Sequence, residues 1–118
     1  MNYFAHGRNY LSTPSLMAGT AVPDWLSVVD RRVRARARMA QPWINATDPV
    51  LAGVARGVVI HHHDDAWFHQ TRVFAELSLQ FTLEVRDLLS DDLGFRPSFL
   101  GHILVEILLD AALIEQDE

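Results

Sequence analysis

Neither cysteine nor lysine occurs in this chain of 118 residues. Without cysteine there are no disulfides and no thiolate ligands, so a metal would have to be held by imidazole and carboxylate. Glycine-rich phosphate loops, nucleophilic-serine motifs and cysteine nucleophiles are all missing, which argues against most other enzyme classes. No strand signal is evident. No apolar run approaches the roughly 18 residues of a membrane span, and the N-terminus lacks a basic-then-apolar leader pattern. A soluble, cytoplasmic protein with no membrane partner is the expectation. A net charge of −5 argues against general nucleic-acid binding.

What is present is ample apolar material, 49% of the residues, enough for one core and one domain over residues 1–118. The pattern predicts an all-α, compact helical domain of four to five helices. A short turn is expected over 14–19, stopping near Gly19, and then a helix from Pro23 to about Met39. Asp48 and Pro49 start a third helix, to about 68, as N-cap and first residue. Thr71 can cap a fourth, ending near 89, and Pro97 opens a last helix over 97–115. So short a chain leaves little protein to cover a central site. The expectation is either a homo-oligomer or a shortened version of something larger.

Two triplets of ligand-type residues have identical spacing: His61, Asp65 and His69, then His102, Glu106 and Asp110. Steps of four residues drift by only about 40° around a helix, so each triplet lines one face. On the third helix His61 and Asp65 form the inner pair, with Asp64 as a second carboxylate. His69 is then a helix-end ligand or proton carrier. His62 and His63 point elsewhere and read equally well as a polar surface patch. On the last helix apolar residues surround Glu106 on nearly every side, which predicts a buried helix. A buried carboxylate needs a cation or a histidine partner. Facing His61 and Asp65 across the core would supply one; a salt bridge from Arg56 or Arg72 is the alternative. His6 and Asp24 are further candidates for the site, although Asp24 at a helix start also fits a cap.

Arg31, Arg32, Arg34, Arg36 and Arg38 crowd one stretch. On a helix, Arg31, Arg34 and Arg38 would share a face that is either simply solvated or able to hold phosphate or an acidic carrier protein.

Asn2-Tyr3-Phe4-Ala5-His6, followed by Ser15, Gly19 and Asp24, resembles the opening of acyl carrier protein phosphodiesterases. The likeness continues over Gly57 to His69 and resumes at Glu106 to Leu113. His69 stands where that family usually has an acidic residue, Glu106 replaces an Asp, and Ala111 replaces a His. The resemblance implies a remote relative of the HD phosphohydrolases, all-helical enzymes that hold divalent metals with His and Asp. On that footing the reaction is hydrolysis of a phosphoester or phosphodiester substrate. His6, His61, Asp64, Asp65 and Asp110 would be the ligands. Asp24 or Glu106 would orient or deprotonate water, and His69 and His102 would protonate the leaving oxygen. Mn²⁺ or Fe²⁺ is favoured, with Zn²⁺ or Mg²⁺ as alternatives. The rival reading is a truncated, non-catalytic metal-binding or oligomeric assembly module.

Overall fold

The computed structural model of the chain describes residues 1–92 and 94–118. Those residues form six α-helices and no strand: α1 (Tyr3–Gly7), α2 (Pro14–Val29), α3 (Ala37–Ala40), α4 (Pro49–Phe68), α5 (Arg72–Leu88) and α6 (Pro97–Asp117). Single 3-10 turns cover Arg8–Tyr10 and Gln41–Trp43. The chain divides into two compact units, one of residues Tyr3–Ala66 and one of Trp67–Glu118 with Met1–Asn2.

Local chemistry accounts for most helix ends. Asp48 Oδ1 accepts the Val50 N–H at 2.9 Å, so the carboxylate occupies one of the donors left open at the start of α4. Thr71 Oγ1 accepts from the Phe74 N–H at 3.3 Å and caps α5 in the same way.

The N-terminal unit departs from expectation at α2. Gly19 does not stop a turn and Pro23 does not begin a helix, because one helix runs through both. Gly19 is instead a packing residue. A Cβ on Gly19 would collide with the Val54 carbonyl oxygen of α4, and one on Gly57 would collide with the Leu16 carbonyl oxygen of α2. The two backbones meet where neither has a side chain. Gly53 of α4 extends that close approach, since a Cβ there would strike the Ser15 side chain of α2.

The arginine segment is also not the expected helical face. α2 ends at Val29, and residues 30–36 are non-helical. Asp30 explains the stop. Its carboxylate accepts from the Arg32 backbone N–H at 3.0 Å and from the Arg32 guanidinium at 3.0 and 3.1 Å, favouring a turn over another helical residue. Arg31, Arg34 and Arg38 therefore share no helix face.

In the C-terminal unit α5 and α6 pack closely at Gly101, where a Cβ would strike Thr82 Oγ1. The expectation that α6 is buried all round fails. Its buried residues are Gly101 and Val105, while Phe99, Ile107, Leu108 and Ile114 are exposed. With a mean hydropathy of 1.7 over its most apolar window, α6 is long and apolar enough to cross a membrane by length and composition alone. That corrects the reading that no such run exists: isolated His102, Glu106 and Asp110 do not offset the apolar residues between them.

Candidate metal centre

The ligand-type residues gather into two groups, one in each unit. His6, His61 and Asp65 present donor atoms that all lie within 4.8 Å of one another, and so do His69, His102 and Glu106.

In the N-terminal unit His6, from the short helix α1, stacks on His61 of α4 with ring centroids 4.2 Å apart and planes 25° apart. Both histidines are buried, at 2% and 3% exposure. Asp65 lies one turn beyond His61 on α4 and faces the Nε2 atoms of both rings. Its Oδ1 is 3.1 Å from His6 Nε2, and its Oδ2 is 3.3 Å from His61 Nε2. Apart from this ion-pair approach of Asp65, neither ring nitrogen of His6 has a hydrogen-bond partner among the described residues. Buried imidazole nitrogens are rarely left so.

His61 is oriented from behind. Its Nδ1 lies 2.8 Å from the Thr20 carbonyl of α2. A carbonyl only accepts, so Nδ1 carries the proton, and neutral His61 has its lone pair on Nε2, facing the carboxylates. Metal-binding histidines are characteristically fixed this way. The acceptor sits one residue past Gly19, whose carbonyl Pro23 cannot pair with because proline has no N–H. Sequence reading missed this role for Thr20, because a backbone acceptor leaves no mark in residue identity.

Asp24 and Asp64 stand further out. Asp24 Oδ1 is 3.9 Å from His61 Nε2, and Asp64 Oδ2 is 4.0 Å from His6 Nδ1. Burial raises the Asp24 carboxyl above the usual carboxylate range, with nearby Asp65 adding to the effect against the pull of the two histidines. For Asp65 burial acts in the same direction, but His6 and His61 outweigh it and hold the carboxyl well below its ordinary value. Burial would lower His61; Asp65 and Asp24 reverse this and raise it.

His62 and His63 lie outside the group. His62 Nε2 donates to the Ala35 carbonyl at 2.6 Å, and His63 is a surface residue 3.4 Å from Asp64 Oδ1.

In the C-terminal unit Glu106 Oε1 is 3.1 Å from His69 Nε2, 3.0 Å from His102 Nε2 and 3.0 Å from the Met1 amino group. Burial would raise this carboxyl, but the Met1 ammonium and the two imidazoles bring it below its ordinary value. The arginine alternatives are engaged elsewhere: Arg56 donates to the Ile44 carbonyl and Arg72 pairs with Glu76. Asp110 is half-buried and belongs to neither group. The triplets of the sequence are thus redistributed. His61 and Asp65 are joined by His6, while His69 joins His102 and Glu106.

An apolar cleft of about 420 Å³ in the N-terminal unit is lined in part by Thr20, the residue whose carbonyl holds His61. Tyr3, Phe4, Leu11, Met17 and Trp25 line it, together with Thr20 and Arg8. No family model, curated protein or solved structure matches this chain.

Proposed function

We propose that this protein is a divalent-metal-dependent phosphoester hydrolase whose centre is the His6–His61–Asp65 group. One observation carries the reading: a fully buried His6 with no hydrogen bond to either ring nitrogen, stacked on a second histidine and facing a carboxylate. Such a nitrogen is costly in a packed interior, by about 1–3 kcal/mol, unless something takes its lone pair. A cation bound by His6, His61 and Asp65 would do so.

Two imidazoles and a carboxylate suit Mn²⁺ or Fe²⁺, the ions also favoured by a carboxylate-rich surround. When bound, the ion supplies a Lewis acid for a phosphoryl oxygen and acidifies water. The chain's own residues do the rest. Thr20 holds the His61 ring in its ligating tautomer. Asp24, made more basic by burial, is fitted to orient water and take its proton. Asp64 adds negative charge beside His6. The apolar walls of the cleft that Thr20 helps to line suit a phosphoester carrying an apolar portion. A phosphodiester on an acidic carrier protein, as the resemblance to acyl carrier protein phosphodiesterases implies, is one such substrate.

The test is a panel of phosphomonoesters, phosphodiesters and nucleotides assayed with tag-free protein, before and after chelation and with Mn²⁺ restored. Hydrolysis that disappears on chelation and in Asp65→Asn is expected. Stoichiometric metal binding with no hydrolysis across the panel would leave a metal-binding module and sink the enzyme reading.

A further inference from the structure

The second group lies in the other unit and uses none of the residues of the proposed hydrolytic centre. We infer that His69, His102 and Glu106 form a separate site for a zinc-type divalent cation, independent of the first.

The argument starts with Glu106. Its side chain is 13% exposed, on a helix whose neighbouring residues are Val105 and Ile107. A carboxylate so placed needs positive compensation. Two imidazole nitrogens are directed at a single one of its oxygens, His69 Nε2 at 3.1 Å and His102 Nε2 at 3.0 Å. A carboxylate oxygen only accepts, so without a metal both Nε2 atoms carry protons, and with the Met1 ammonium at 3.0 Å three donors converge on that one oxygen. A cation takes the place of the imidazole protons with both lone pairs and the carboxylate turned toward it, the protons passing to Nδ1 or to solvent.

The donors are held in position before any ion arrives. His102 and Glu106 are one turn apart on α6, and His69 follows the end of α4. Phe74, buried on α5, packs against both rings, with centroids 4.7 Å from His69 and 5.0 Å from His102. Phe68 closes on His69 at 5.8 Å, and the two imidazoles are 4.8 Å apart. Aromatic neighbours restrict the rings without competing for their nitrogens.

Two imidazoles and one carboxylate are a tetrahedral zinc set with the fourth position left for water. The His69 and His102 side chains are about one-third exposed (32% and 38%), so solvent reaches the group, and the Met1 ammonium beside Glu106 is what a bound ion would displace. The first group differs in having both histidines buried and further carboxylates nearby, so the two groups should rank metals differently.

The experiment uses full-length protein without a histidine tag, stripped of metal and titrated with Zn²⁺ against a chromophoric competitor. Wild type should bind two equivalents. His69→Ala with His102→Ala should bind one, and His61→Ala with Asp65→Ala should keep the one that the first pair loses. Glu106→Gln, which preserves volume and an acceptor oxygen, should weaken that equivalent by more than the roughly 10–100-fold typical of an outer-sphere partner. Co²⁺ should give a tetrahedral absorption band that survives the His61/Asp65 changes. Unchanged stoichiometry in the His69/His102 variant would overturn the site. So would a wild-type crystal soaked in excess Zn²⁺ that shows no zinc-edge anomalous peak at these three residues, a measurement that requires no variant to fold. Because the two pairs of variants act on different units, loss of the first site leaves this result readable.

Discussion

His61 Nδ1 donates to the Thr20 carbonyl oxygen across 2.8 Å, tying the imidazole of α4 to the backbone of α2. That acceptor lies beside the one carbonyl, Gly19, that Pro23 deprives of its helical N–H. Pro23→Ala restores the missing donor and tightens α2 around Thr20. The variant should gain helix stability and lose metal affinity at the first site by about tenfold, the lower end for a residue acting behind a ligand. Competitive titration measures the affinity and thermal unfolding the stability. A more stable protein with unaltered affinity would show that the Thr20 contact does not tune the site.

Asp65 does two things at once, facing both imidazoles while its own carboxyl is held ionised. Asp65→Asn preserves the volume and removes the charge. Metal binding at this group should weaken by more than about a hundredfold, beyond the range for outer partners. In metal-free protein the change should also lower the His61 pKa, since Asp65 is the main influence raising it against burial. Histidine ¹⁵N chemical shifts followed through pH report this directly, and an unmoved titration would contradict the assigned role.

The pH dependence of stability follows from the same pair. The Asp65 pKa is depressed in the fold, so its contribution is present above the unfolded value of about 3.9 and is lost as pH falls through the folded one. The His61 pKa is raised, so its contribution is complete below about 6.5 and is lost as pH rises through the folded value. Metal-free protein should therefore be most stable at mildly acidic pH, between those limits. Added Mn²⁺ should move the optimum upward, because binding requires unprotonated His61. Melting temperatures across pH 3–9, on the order of one point per unit, with and without metal, decide it. An optimum that does not move on adding metal would count against a cation at this group.

The class of fold was legible because its signals are local. Proline and capping residues mark α4, α5 and α6, and four-residue spacing marks the ligand pairs His61/Asp65 and His102/Glu106. What the spacing does not encode is which face meets which. Periodicity places His61, Asp65 and His69 on one side of a helix, but α4 ends at Phe68, so His69 lies beyond the regular turns that carry His61 and Asp65. His69 joins His102 while His61 joins His6. Gly19 and Pro23 misled for a related reason. Read locally they are breakers, whereas in the fold one admits another helix's backbone and the other stands next to the residue whose carbonyl receives an imidazole proton. The exposure of α6 was equally hidden, because an apolar composition states a preference for burial without saying what provides it.

The α2–α4 crossing holds the first group together, since it brings Thr20 and Asp24 of one helix to His61 and Asp65 of the other. Gly57 is where the backbones come closest. A Cβ there would meet the Leu16 carbonyl oxygen and the Gly19 backbone, atoms that cannot turn aside as a side chain could. Gly57→Ala would ordinarily favour a helix by about 1 kcal/mol. Here the overlap should reverse the sign and destabilise by about 1–3 kcal/mol as the helices are forced apart. The separation should also lengthen the Thr20–His61 contact, so metal affinity should fall although no ligand has changed. Gly94→Ala is the control: it sits in an exposed loop, where among the described residues the close atom is an Asp92 carboxylate oxygen. Chemical denaturation and metal titration of the two variants give the comparison. A Gly57→Ala protein as stable as wild type, binding metal equally well, would mean that the crossing is not what sets the geometry of the histidines.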